Sequence, residues 1–157
     1  MELKGKHKVE ATVPVLWNIL MDTQSLSKIV PGVTKLERTR ENTYSSELEI
    51  RMGPMAASFT GNAQMEDIMD HRKFTLKMQQ SNKMGNANSV MKVELLAITE
   101  SETEVIFEGE LKITGLLASM GKNILSSAAN VLTRQFFANL DHELAKQKAV
   151  HDPFKFS

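Results

Sequence analysis

The sequence predicts an α+β fold: a seven-stranded, curved antiparallel sheet wrapped around one long C-terminal helix, with two short helices after the first strand. Three observations predict it. Six stretches between Val33 and Ile113 alternate apolar and polar residues and are separated by short turns, the pattern of an antiparallel meander. A seventh alternating stretch opens the chain. The last long stretch, Gly115 to about Gln147, lacks proline and places Leu117, Met120, Ile124, Ala128, Val131, Leu132, Phe136, Leu140 and Leu144 at spacings of mostly three and four. At about 1.5 Å per residue such a helix would run roughly 45 Å. Its apolar face needs a broad partner, and strands that are wet on one side need a cover for the other. Sheet and helix answer each other.

The elements follow in order. Leu3, Gly5, His7 and Val9 alternate with charged residues in the first strand. Thr12 or Val13 caps a short helix with Pro14 in its first turn and Trp17, Leu20 and Met21 on its apolar side. A second helix, about Ser25–Ile29, ends before Pro31-Gly32. Val33–Arg38 is a short strand closed by the turn at Glu41-Asn42. Tyr44, Ser46, Leu48, Ile50 and Met52 mark the next strand, up to Gly53-Pro54. Met55, Ala57, Phe59, Gly61, Ala63 and Met65 mark another, then Phe74, Leu76 and Met78 after the turn at Asp70-His71-Arg72. Ala87, Ser89, Met91, Val93 and Leu95, then Val105, Phe107, Gly109, Leu111 and Ile113, complete the sheet. Residues 1–148 read as one domain, and 149–157 as a tail in which Pro153 precedes two aromatics.

Composition removes several function classes. The 157 residues are 41% apolar and 24% charged, as in a folded globular chain. Lys plus Arg equals Asp plus Glu at 19 each, so no basic surplus points to nucleic acid. Cysteine is absent, which excludes disulfides, thiolate metal sites and a cysteine nucleophile, and fits a reducing cytoplasm. The charged start MELKGKHKVE does not read as a signal peptide. No run approaches the ~20 apolar residues of a membrane span.

Motifs of catalysis are missing too. Gly115 to Asn123 has two glycines and a lysine but not the spacing or the Ser/Thr of a phosphate loop. His7, His71, His142 and His151 form no pair at metal-ligand spacing, and no cofactor or metal is implied. No GxSxG occurs. Glu47, Glu49, Glu104, Glu108 and Glu110 fall on wet strand faces. What stands out instead is 10 Met against one Trp and one Tyr, and small residues on apolar strand faces: Gly5, Ala57, Gly61, Ala63, Ala87, Ser89 and Gly109. Met fills cores or lines adaptable apolar surfaces. Small residues permit sheet curvature or leave room for a ligand. The ligand reading names His7, Leu48, Ile50, Phe59, Met78, Met91, Phe107, Leu111, Ile124 and Ala128 as cavity lining. His7 would be either a core histidine or a polar anchor.

Several short stretches carry a family likeness: Met1 to Gly5, Pro14 to Trp17 with Leu20 and Asp22, Leu26 with Val30-Pro31-Gly32, Leu36-Glu37-Arg38, Gly53-Pro54, Phe59-Thr60-Gly61, and Gln135 to Leu140. In this order the chain, over residues 1–144, resembles the carbon monoxide dehydrogenase CoxG family, within the START-like helix-grip superfamily. The resemblance implies an accessory protein that holds a lipid- or quinone-like molecule and helps recruit a molybdenum-containing dehydrogenase to the cytoplasmic membrane by peripheral contact. It implies no catalytic residue. Two other readings are an enzyme of the same superfamily, a cyclase or hydrolase using His7 or Tyr44, and an assembly protein with a filled interior.

Overall fold

Alternation makes the strands, and the chain turns where alternation fails. The computed structural model describes residues 1–52 and 54–151. In chain order it has β1 (Glu2–Val9), α1 (Val13–Leu20), α2 (Thr23–Ile29), β2 (Val33–Arg40), β3 (Thr43–Met52), β4 (Met55–Met69), β5 (Lys73–Asn82), β6 (Gly85–Ala97) and β7 (Thr103–Gly115). A short 3-10 helix (Leu116–Met120) and the long α3 (Lys122–His151) follow. The strands form one seven-stranded sheet in the order β1-β7-β6-β5-β4-β3-β2, with every neighbouring pair antiparallel. It curves around α3, as the sequence predicts.

The two short helices have local causes. At α1 the Thr12 hydroxyl accepts from the Val15 N–H at 3.4 Å, and Pro14 sits in the first turn, where no partner for its missing N–H is needed. Leu16, Trp17, Ile19 and Leu20 are its buried side. α2 begins at Thr23, two residues before the expected start, because the Asp22 carboxylate accepts both the Ser25 N–H (3.0 Å) and the Ser25 hydroxyl (2.8 Å). Replacing Asp22 by Ala is expected to cost about 1 kcal/mol, read as an earlier midpoint in urea denaturation. An unchanged midpoint would show that the cap carries no stability.

The C-terminal helix differs from its sequence reading in two ways. It does not start at Gly115. Gly115 has φ 77° and Gly121 φ 92°, so the backbone leaves helical geometry twice and Leu116–Met120 is a separate 3-10 turn. It also runs past Gln147 and past the expected tail boundary, as far as His151. The rest of the tail, 152–157, including Pro153, lies outside the described residues. Asn139 on α3 donates through Nδ2 to the Ile29 carbonyl at 3.1 Å, and Lys28 lies 3.9 Å from the buried Glu143. These contacts tie the last turn of α2 to α3. They fix the position of Val30 and Pro31, which border the interior.

The main core joins α1, α2, the C-terminal half of α3 and one end of the sheet: Leu16, Trp17, Ile29, Phe74, Phe137 and Leu140 are among its members. A smaller cluster gathers Leu48, Ala57, Phe59 and Leu117 at the other end. Between the two, the sheet and α3 do not fill the space.

Candidate functional site

The inward face of the sheet is set by register. Ser46 lies opposite Gly61, Gly61 opposite Gln80, Gln80 opposite Ala87, and Ala87 opposite Ile113. On one side of this row Leu48 pairs with Phe59; on the other, Ala63 pairs with Met78, Met78 with Ser89, and Ser89 with Leu111. Each row mixes large apolar side chains with small ones. α3 faces them with Leu125, Ala128, Ala129, Leu132, Thr133 and Phe136. Two alanines at the centre of that face hold the helix close without closing the gap.

Two cavities result. The smaller, about 220 Å³, is bordered by Val30, Pro31, Leu48, Ile50, Phe59, Met78, Gln80, Ala87, Leu111 and the first half of α3. The larger, about 290 Å³, lies toward the main core, against Met65, Phe74, Met91, Phe107 and Phe136. They share Val30, Leu111, Ala129 and Leu132 as walls. Among the described residues no Asp, Glu, Lys, Arg or His lines either cavity. No group of three or more His, Asp or Glu is placed to hold a metal ion, again among the described residues. The ion pairs stay outside. Lys8 bonds Glu102 at 3.0 Å and Lys77 bonds Glu66 at 2.8 Å, and in each case the bonded carboxylate raises the lysine pKa above its usual value.

Of the ten residues named from sequence as lining, eight border a cavity. Leu48, Ile50, Phe59, Met78 and Ala128 border the smaller one, Met91 and Phe107 the larger, and Leu111 both. Ile124 does not. It is 45% exposed, beside Arg51, Asn123 and Val131 on the outer flank of α3. The sequence stripe that included it began at Leu117 and Met120, which belong to the 3-10 turn. Gly121 resets the phase, so the inward row runs through Leu125, Ala129 and Leu132 instead. His7 is not a cavity anchor either. Its ring stacks on Phe137 with centroids 4.4 Å apart, and Nε2 lies 3.0 Å from Asp141 Oδ2. It seals β1 onto α3 at the rim. Tyr44 is buried against a small void of about 40 Å³.

One polar feature of the interior went unnamed in the sequence reading. Gln80 is 5% exposed and donates through Nε2 to Ser46 Oγ at 2.8 Å, passing over Gly61. The strand signal could have found it, since Gln80 continues the inward phase of Phe74, Leu76 and Met78.

The sequence profile of the carbon monoxide dehydrogenase CoxG family matches residues 5–145. The chain belongs to that family. Solved structures agree on the fold. A conserved protein from Geobacillus kaustophilus superposes with a TM-score of 0.88 at 25% identity, over 93% of this chain and 96% of that one. A START superfamily protein from Mycobacterium smegmatis gives 0.74 at 8% identity, over 93% and 98%. The ZhuI aromatase/cyclase of Streptomyces sp. R1128 gives 0.73 at 10% identity, over 99% of each chain. No curated protein sequence matches the chain significantly. Family and fold together describe a CoxG-family helix-grip protein. Among the described residues no helix is long and apolar enough to cross a membrane.

Proposed function

We propose that this CoxG-family chain is a non-catalytic binding module that holds a lipid- or quinone-like molecule between sheet and α3. The observation that carries the reading is the pair of adjoining cavities, walled by apolar side chains apart from Gln80, Ser89 and Thr133 and free of ionisable groups among the described residues. Such a space rewards an apolar occupant with roughly 25 cal/mol per Å² of buried surface, before ordering costs. Family membership supports an accessory role beside a molybdenum-containing dehydrogenase, with peripheral membrane contact as the setting in which ligand is exchanged.

Decylubiquinone added to the purified chain is expected to raise its melting temperature. At a hundredfold excess over Kd the gain is about 2.7 kcal/mol, or roughly 5–10 °C for a chain of this size. Solvent extraction followed by mass spectrometry reports any apolar molecule already bound. No shift with decylubiquinone or with phospholipid, and nothing extracted, would refute the reading.

The likeness to an aromatase/cyclase favours a second reading, an enzyme that folds an apolar substrate inside the same space. General acid–base chemistry needs a titratable group within hydrogen-bond reach of the reacting atoms. His7 is turned to Asp141 at the rim, and Tyr44 lines neither of the two adjoining cavities. The binding reading requires no such group.

A further inference from the structure

We propose that the smaller cavity receives the head of an apolar ligand bearing a neutral hydroxyl, an alcohol or a phenol, and that Gln80 is the residue that recognises it. This role rests on the binding reading above and names the chemistry of that same site.

Gln80 is buried and borders the cavity. Its Nε2 is engaged by Ser46, but its Oε1 has no hydrogen-bond partner among the described residues. A buried amide oxygen without a donor is costly, and such groups are rare in folded proteins. An arriving donor removes that cost. Turning the amide by 180° would let the Ser46 hydroxyl donate to Oε1 and put the NH₂ in the unpaired place. A hydroxyl satisfies either setting, because it both donates and accepts.

Other heads fit less well: a quinone carbonyl only accepts and suits one amide setting, whereas the hydroxyl of the reduced quinol suits both. A carboxylate or phosphate would enter charged, with no Lys, Arg or His on either wall among the described residues. An ammonium would find no Asp or Glu there. A ligand without polar atoms would bury Oε1 still deeper and leave it unpaired. A hydroxyl-bearing molecule can place its head at Gln80 and lead its tail past Leu111, Ala129 and Leu132 into the larger cavity.

The matched probes 4-hexylphenol and hexylbenzene differ only by the hydroxyl. Each is titrated calorimetrically into the full chain and into Gln80→Met, which keeps the length of the side chain and removes its polar end. The ratio of phenol affinity to hydrocarbon affinity is expected to fall about three- to tenfold in the variant, the size of one ordinary hydrogen bond. Comparing ratios cancels the difference in how the two probes leave water. Hexylbenzene should bind the variant as well as or better than the wild type. An unchanged ratio with both probes bound overturns the role of Gln80 and leaves the binding reading standing. Failure of both probes to bind a wild type that takes up decylubiquinone or phospholipid overturns the role of Gln80 alone, and failure of all four ligands overturns both. The wild type offers a second measurement that needs no variant. The Gln80 side-chain amide resonances should move with 4-hexylphenol and hold with hexylbenzene, and equal movement with both overturns the proposal.

Discussion

Gly61→Val is expected to cost at least about 3 kcal/mol and to lower the melting temperature by roughly 6–12 °C, or to prevent folding. A Cβ at Gly61 would stand 1.8 Å from the Gln79 carbonyl oxygen and 2.9 Å from Gln80 Cα. Both are backbone atoms of β5, so no side-chain rotation relieves the clash. β4 and β5 would have to separate there, and the pairs Thr60–Ser81 and Gly61–Gln80 would be lost first. The added side chain would also occupy the space over which Gln80 reaches Ser46. Thermal denaturation followed by circular dichroism measures the effect. A melting temperature within about 2 °C of the wild type would show that the strands tolerate a wider approach than the structure describes.

Ala129→Phe is expected to act in the opposite sense on stability and function. Ala129 is 7% exposed on the inner face of α3 and borders both cavities. A ring there reaches into the boundary the two cavities share and competes with any ligand that spans it. Affinity for decylubiquinone should fall tenfold or more. Overpacking a filled core costs about 1–3 kcal/mol, but here the added atoms enter open volume and gain dispersion contacts. The melting temperature should therefore hold or rise. Full affinity in a folded variant would mean that the ligand does not lie where α3 faces Leu111.

The sheet was legible in the sequence because its period is short and its turns are marked. Every strand from β3 to β7 alternates, and a one-residue slip would have turned Phe59, Met78 and Phe107 outward. That is why seven residues that border the cavities, all of the eight but Ala128, could be read directly from the strands. The helix was harder. Its apolar stripe looks continuous across Gly121, and only the positive φ at that glycine shows that Leu117 and Ile124 belong to different elements. Sequence periodicity carries no φ. His7 failed for another reason. Its strand phase is inward, as expected, but β1 is an edge strand, and inward at the rim means facing Phe137 and Asp141. Gln80 escaped notice because an amide on an apolar face reads as the end of a strand. Its partner Ser46 is two strands away, beyond the reach of local pattern.

The position of β1 has a consequence for the order in which the chain assembles. The N-terminal ammonium donates to the Leu111 carbonyl, 110 positions further on, and the whole β1–β7 ladder joins segments roughly a hundred residues apart. During synthesis β1 emerges well before β7 and must wait for that strand before its backbone groups find a ladder. Contacts this distant close late and slow the search. Lys4, Lys6 and Lys8 along its outer side make the waiting strand a poor template for other chains, as charged edges do. β1 is thus made long before its partner yet is among the last elements to be locked, and its docking at His7 onto α3 completes the enclosure.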